Sequence, residues 1–437
     1  MKADFLRMLE SWLPSTEVHD FIASLHATPP VSIRQHALKA KEELFPNSRP
    51  VPWCSRGRYL NKRPVFTLDP RFHAGAYYVQ EASGMSVSML EPFLAVMEAP
   101  RVLDACAAPG GKSTLLLDIL PPGGFLVSNE TIRSRIPALT NNIARWGYGN
   151  VAVTANDPSA FRSLEGFFDV VLADVPCSGE GLFRKDKAAR ETWSEALVNL
   201  CVGRQKRILT EVWPSLKQGG LLLYTTCTFN TKENEEQVSW IENTLGARIV
   251  LPAERFLPHR IQGEGFFMAL LEKTSPSEKR PLPGRVANTI LKKQPPVDFP
   301  MPLHDSYTYY VKDSLVKAAP SHLLKEWATI EKHLHVVHSG IAVALQKGKD
   351  RVPHPDLALA IDLKHNAFPR LEVTRSQALA FLRKENIPSS PDMEKGYVLV
   401  AYEGYPLGFI KNLGNRTNNL LPKGRKILMN PVIADTE

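Results

Sequence analysis

Through the middle of the chain, short apolar runs alternate with stretches whose apolar residues recur at helical spacing. The runs Arg101–Ala105, Phe125–Asn129, Val151–Ala155, Phe168–Ala173 and Gly220–Thr225 have strand length, and Ser113–Leu120, Ile132–Trp146 and Leu197–Leu216 between them are amphipathic. That rhythm predicts a parallel sheet with crossover helices, closed by an antiparallel edge strand at Gly265–Leu271. The expected fold class is therefore α/β, a Rossmann-like doubly wound domain over residues 96–273. A mixed, proline-containing stretch over 1–95 precedes it and reads as a small α+β domain.

After Lys273 the pattern breaks. Thr274-Ser275-Pro276-Ser277-Glu278-Lys279-Arg280-Pro281 opens a proline-rich segment that continues through Pro302, too rich for an inner strand or helix, so 274–302 is expected to be a linker. An intermediate unit over 303–385 contains a helix near Pro320–His335. A small strand-rich unit over 386–437 carries strands Tyr397–Tyr402 and Tyr405–Asn412, then a basic tail, Arg416–Lys426. No internal repeat or low-complexity tract is present.

At 437 residues the chain exceeds one hydrophobic core, and 43% hydrophobic residues exclude a disordered polymer. No apolar run is long enough to span a bilayer and the N-terminus does not read as a cleaved leader, so a cytoplasmic protein is expected, with no membrane partner. Five cysteines, without a Cys-x-x-Cys pair or a nearby histidine cluster, argue against structural zinc, any other metal and a disulfide framework. Lys and Arg outnumber Asp and Glu by 53 to 45, a net +8 compatible with a phosphate-rich partner.

The first strand of the sheet runs into Cys106-Ala107-Ala108-Pro109-Gly110-Gly111-Lys112-Ser113, where a helix begins. A glycine turn there lets a ligand approach the backbone and the helix N-terminus. Lys112-Ser113 invites a phosphate-loop reading, but Cys106 stands where that motif requires glycine. Acids follow the next three strands: Glu130, Asp157 and Asp174. All are expected in one crevice at the carboxyl ends of the strands, Glu130 on a ribose diol and Asp157 on an adenine amino group, although Asp157 before Pro158 also reads as a turn residue. Cys177 and Cys227 lie just past the fourth and fifth strands, where this architecture places its chemistry, whereas Cys54, Cys106 and Cys201 read as buried small side chains. Carbon 5 of cytosine is a poor nucleophile. A thiolate added to carbon 6 makes an enamine that can attack an electrophilic methyl, so one thiol can serve as nucleophile and its neighbour can assist release.

Asp174-Val175-Pro176-Cys177-Ser178-Gly179-Glu180-Gly181 and Thr225-Thr226-Cys227-Thr228, together with Ala107-Ala108-Pro109-Gly110-Gly111-Lys112, resemble the Nol1/Nop2/Sun RNA cytosine-5 methyltransferases. The resemblance implies a class I methyltransferase domain using S-adenosylmethionine, with Cys227 as nucleophile and Cys177 assisting product release. It implies cofactor contacts from Cys106, Ala107, Ala108, Pro109, Gly110, Gly111, Lys112, Glu130, Asp157 and Asp174, and Asp174 facing the cytosine as well. It covers residues 5–273. The remainder is laid out like bacterial members acting on small-subunit ribosomal RNA, which end in a PUA-like RNA-binding module. RNA, as 16S ribosomal RNA or the 30S particle, is thus the expected partner of a monomer, with Lys411, Arg416, Lys423, Arg425 and Lys426 on the RNA. One departure is Ser32-Ile33-Arg34-Gln35-His36, which lacks the asparagine of the family's Arg-x-Asn.

Rival readings predict other features. An amino-group methyltransferase carries an Asp/Asn-Pro-Pro-Tyr/Phe motif where Pro176-Cys177 stands, and a DNA cytosine methyltransferase needs neither Cys227 nor a PUA-like tail. Transfer RNA as substrate fits the same chemistry. A non-catalytic ribosome-assembly factor fits the basic tail but gives no reason for two thiols and three acids around one crevice.

Overall fold

The computed structural model describes residues 2–276, 301–348, 350–388 and 393–429. Most of the expected linker and the last residues of the expected tail lie outside these ranges. The central sheet has eight strands: β1 Arg101–Asp104, β2 Phe125–Asn129, β3 Val151–Thr154, β4 Phe168–Asp174, β5 Leu216–Thr226, β6 Ala247–Phe256, β7 Phe266–Lys273 and β8 Val336–Ser339. Their spatial order is β6-β7-β5-β4-β1-β2-β3-β8. Strands β1 to β5 are parallel, and β7 runs antiparallel against β5 as the sequence predicts, but it is not the edge, since β6 pairs outside it.

Alternation of side chains across the strands divides the core into two layers. Leu103, Val171 and Leu222 face one layer, while Val102, Leu172 and Leu223 face the other. Helices α1 Gly111–Ile119, α2 Ile136–Trp146 and α3 Glu195–Val212 cover the faces.

Two edge strands depart from the sequence reading. Strand β6 contains Pro252 and is mostly solvent-facing, with register shifts on either side of Leu251; an edge position tolerates both, because the missing N–H is not needed. Strand β8 belongs to the intermediate segment, yet pairs antiparallel with β3. Trp327 and Ile330, from the helix Leu324–His333, pack into the same layer as Leu103. The intermediate segment therefore completes the catalytic core, and a unit closed at 273 does not describe the packing. Its other strands form a separate four-stranded sheet over 307–353.

The N-terminal segment has helices Ala3–Glu10 and Ser15–Ser24, whose Phe5 and Phe21 pack against Phe183, Trp193 and Phe229 of the central domain, and then an antiparallel four-stranded sheet. Arg34 of that sheet is buried: its guanidinium pairs with Asp118 and donates to Thr114 Oγ1 at 2.7 Å and Gln80 Oε1 at 2.9 Å, stapling the unit to α1. The C-terminal sheet begins at Arg370–Glu372, which pairs parallel with Gly396–Tyr402, and the helix Arg375–Leu382 packs in its core. The expected boundary at 386 falls inside this unit, because a three-residue strand and a short helix leave little periodic signal.

Candidate active site

The turn after β1 forms because Gly110, at the N-cap of α1, has φ +108°, a backbone conformation glycine adopts without cost. Two buried carboxylates flank it. Asp104, the last residue of β1, accepts from Ser113 Oγ at 2.6 Å through one oxygen, while the other has no hydrogen-bond partner. Burial, against the relief from Ser113, pushes this carboxyl up to about 7. Glu130, after β2, is 4% exposed; Oε1 accepts from Ile132 N at 2.8 Å, and Oε2 lies 3.3 Å from Arg135 without a hydrogen bond. Buried carboxylate oxygens lacking donors are uncommon and point to a ligand that brings donors. The ammonium and ribose hydroxyls of S-adenosylmethionine are such donors, and Lys112, Cys106 and Ala107 line the adjoining cavity of about 580 Å³, a ligand-sized space.

Asp174, ending β4, accepts from Lys112 Nζ at 2.7 Å and from Thr225 Oγ1 at 2.8 Å. Burial disfavours the Lys112 charge, but Asp174 and the nearby Cys227 outweigh it and hold the ammonium above its ordinary range. Of the three acids expected in one crevice only Asp174 lines this cavity; Glu130 does not, and neither does Asp157. Its carboxylate is 43% exposed, accepts twice from Arg207 at 2.8 Å and once from Ser159 N at 3.1 Å, and these bonds bring it down to about 2. That is the turn-residue arrangement the sequence left open.

The cysteines converge. Cys177 Sγ and Cys227 Sγ lie 3.1 Å apart in hydrogen-bonding contact, on loops following the neighbouring strands β4 and β5, and both line the cavity. Close backbone approach makes this possible: Gly181 N donates to Cys227 O at 2.9 Å, and a Cβ on Gly181 would lie 2.5 Å from Gly265 O. The bond to Cys227, then burial, then the Cys227 and Glu233 charges push the Cys177 thiol well up. Cys106 is also raised, by burial and by Asp104, and Cys201 goes up to about 11 by burial, as expected of inert thiols.

Sequence reasoning missed the polar clamp beneath these loops. Glu180, fully buried, accepts from Phe229 N at 2.7 Å, Asn230 N at 2.9 Å, Trp193 Nε1 at 2.8 Å, Asn230 Nδ2 at 2.8 Å and Ser178 Oγ at 3.2 Å. Glu233 accepts from Ser178 N at 3.0 Å, Gln205 Nε2 at 2.7 Å and Asn230 Nδ2 at 2.8 Å. Glu180 stands within the quoted Cys177 motif, so its position was visible, but its burial was not. In the C-terminal unit Arg416, Lys423 and Lys426 are exposed, Lys411 sits 3.8 Å from Asp350, and Arg425 is partly buried in an ion pair with Asp356. Arg425 is thus held by its own chain. Among the described residues no group of three His, Cys, Asp or Glu side chains could hold a metal ion, and no helix is long and apolar enough to cross a membrane.

A doubly wound sheet, a glycine turn flanked by acids with spare acceptors, and two apposed thiols define a class I S-adenosylmethionine-dependent methyltransferase. Family models match residues 1–82 as the N-terminal domain of 16S rRNA methyltransferase RsmF, 91–272 as 16S rRNA methyltransferase RsmB/F and 368–427 as the methyltransferase RsmF PUA domain. The ribosomal RNA small subunit methyltransferase F of Vibrio campbellii is 32% identical over 96% of both chains, and that of Shewanella halifaxensis 31% over the same shares. The chain belongs to this family. Among solved structures, one titled PH0851 aligns with a TM-score of 0.56 and 26% identity over 62% of this chain and 65% of its own. NSun6 from Pyrococcus horikoshii, solved with SFG, aligns at 0.55 and 18% over 63% and 98%, a likeness of fold.

Proposed function

We propose that the protein methylates carbon 5 of a cytosine in 16S ribosomal RNA, as a cytoplasmic monomer acting on the RNA or the assembling 30S particle. The observation that carries the reading is the 3.1 Å apposition of Cys177 and Cys227 beside the Lys112–Asp174 pair. The names of the relatives supply the RNA.

The chemistry divides between the thiols by environment. Lys112, paired with Asp174, lines the same cavity as Cys227, whereas the bond to Cys227, burial and the Glu233 charge push the Cys177 thiol up and keep it protonated. Cys227 Sγ adds to carbon 6, and the electron pair displaced onto carbon 5 takes the methyl group. S-adenosylmethionine, when bound, supplies that methyl as an electrophile. Carbon 5 then gives up its proton to solvent, and the returning pair expels Cys227 Sγ as the thiolate. Cys177, in contact with that sulfur, assists the departure by hydrogen bonding to the leaving thiolate. Asp174 presents an acceptor to the base edge, and Glu130 and Asp104 receive the cofactor's donors. The rims bearing Lys411, Arg416, Lys423 and Lys426 contact RNA phosphates.

Bisulfite sequencing of cellular RNA with and without the gene tests the reading. Loss of a protected cytosine in 16S ribosomal RNA is expected. Loss confined to transfer RNA refutes the substrate, and no change anywhere refutes the activity.

A further inference from the structure

A second cavity, of about 290 Å³, opens where three parts of the chain meet, and no carboxylate lines it. Arg145 and Asn142 of α2, His73 of the N-terminal unit, and Arg425 and Lys426 of the C-terminal unit supply its polar wall. Arg145 is the unusual group. Its guanidinium lies 4.3 Å over the Phe72 ring and donates to Asn142 Oδ1 at 2.7 Å, but its Nε is buried without a hydrogen bond, and no carboxylate among the described residues pairs with it. Behind it, Lys39 Nζ is held only by the carbonyls of Ala74 and Arg145, at 3.0 and 2.7 Å. Burial brings Arg145 down to about 10, the Arg425 charge adding to the effect, and brings Lys39 down to about 7, the Arg145 charge adding there. Both side chains are half-buried; a cation drawn from water without a counter-charge is costly, and an anion in the cavity relieves that cost. Arg425 is offset by Asp356, while Lys426 is exposed at the mouth.

We infer that this cavity seats a phosphate group of the RNA strand, gripped by the Arg145 guanidinium and Lys426. The inference rests on the RNA reading above and adds to it where the strand passes. Helix α2 carries both sites: Arg135, just before it, lines the catalytic cavity, and Arg145 lies ten residues on, roughly 15 Å along the axis. A strand delivering a cytosine to Cys227 is thus long enough to reach the second cavity within a few nucleotides. Because the wall is drawn from three units, a phosphate there fixes their common register on the RNA.

Arg145→Gln and Lys426→Gln in the full-length protein test this, with binding of a fluorescent single-stranded RNA read by anisotropy across a salt series. Each lost contact should lower affinity roughly tenfold and reduce the slope of log K against log salt by about 0.7, while calorimetric affinity for S-adenosylmethionine stays as in the parent. Inorganic phosphate should raise the melting temperature of the parent but not of the variants. Unchanged RNA affinity and slope overturn the inference, and if phosphate still stabilises the parent the cavity holds free anions only. A loss in Arg145→Gln that extends equally to the cofactor is general unfolding of that variant, and Lys426→Gln, at an exposed position, then decides: unchanged RNA affinity and slope there overturn the inference. Binding is read without methylation, so a missing 5-methylcytosine in ribosomal RNA would refute the substrate reading and leave this result independent.

Discussion

Replacing Glu180 with alanine removes the acceptor that ties the Cys177 loop to the Cys227 loop. Five donors lose it: the backbone N–H groups of Phe229 and Asn230, the Trp193 indole, the Asn230 side-chain amide and Ser178 Oγ, of which the last two keep Glu233 and Thr228 as partners. Each buried donor left unpaired costs ~1–3 kcal/mol. The low end for the other three gives a destabilisation of about 3 kcal/mol, at the upper end of ordinary single substitutions. At ~2–4 °C per kcal/mol, typical of units of 150–250 residues, the melting temperature should fall by about 6–12 °C. Glu180→Gln keeps the volume and one acceptor oxygen but turns an NH2 toward donors, so it should recover no more than half. Thermal unfolding followed by circular dichroism at fixed pH and salt checks this. A fall below about 3 °C for the alanine variant refutes the clamp, because the three donors left unpaired would then have found other partners at little cost. Methyl transfer at a temperature where the variant is folded should fall in kcat more than in KM, since the loops carry the reacting sulfurs and not the bulk of the RNA surface.

Three further outcomes are expected. Cys177→Ala should accumulate a protein–RNA species that survives denaturing electrophoresis, while Cys227→Ala and the double variant should not; an adduct in Cys227→Ala alone reverses the roles. Glu130→Ala should weaken S-adenosylmethionine binding about tenfold or more with RNA affinity retained, whereas Asp157→Ala, whose acceptors are occupied by Arg207 and Ser159, should weaken it less, both read by calorimetry. In the cofactor-free protein Asp104 titrates near 7 folded, against 3.8 as an ordinary carboxyl, so it costs nothing below about pH 4 and removes stability as pH rises through 7. Urea midpoints at pH 5 and 8 should therefore differ less in Asp104→Asn than in the parent, and an equal difference in both refutes the assignment.

The parallel strands were legible because each is an apolar run bounded by a turn, and the catalytic motifs because Cys177 and Cys227 follow two such runs. Strand β8 was not, since its pairing with β3 joins residues about 180 positions apart and nothing in Val336–Ser339 names its partner. The inward turn of Arg34, in the stretch that departs from the family's Arg-x-Asn, was not legible, because Asp118, which neutralises it, comes from the end of α1. Asp157 failed to join the other acids for a local reason. Its side chain caps its own turn through Ser159, and Arg207 of α3 takes what remains. Register at the end of a strand placed the residue correctly but could not say which way its carboxylate turns.

The two thiols occupy one contact yet sit in opposite fields, and that difference follows from the fold. Cys227 emerges from β5 toward the side where α1 delivers Lys112, whereas Cys177 emerges from β4 above Glu233, which Gln205 of α3 and Ser178 hold in place. The bond to Cys227, burial and the Glu233 charge together push the Cys177 thiol up, so it keeps the proton with which it can bond to a departing sulfur. The assignment of nucleophile and helper thus needs no difference in the cysteines themselves. Burial raises the Glu233 carboxyl as well, against the donors Ser178 and Asn230. Those same donors tie the two loops together, so the bonds that fix the 3.1 Å contact also hold Glu233 beneath Cys177.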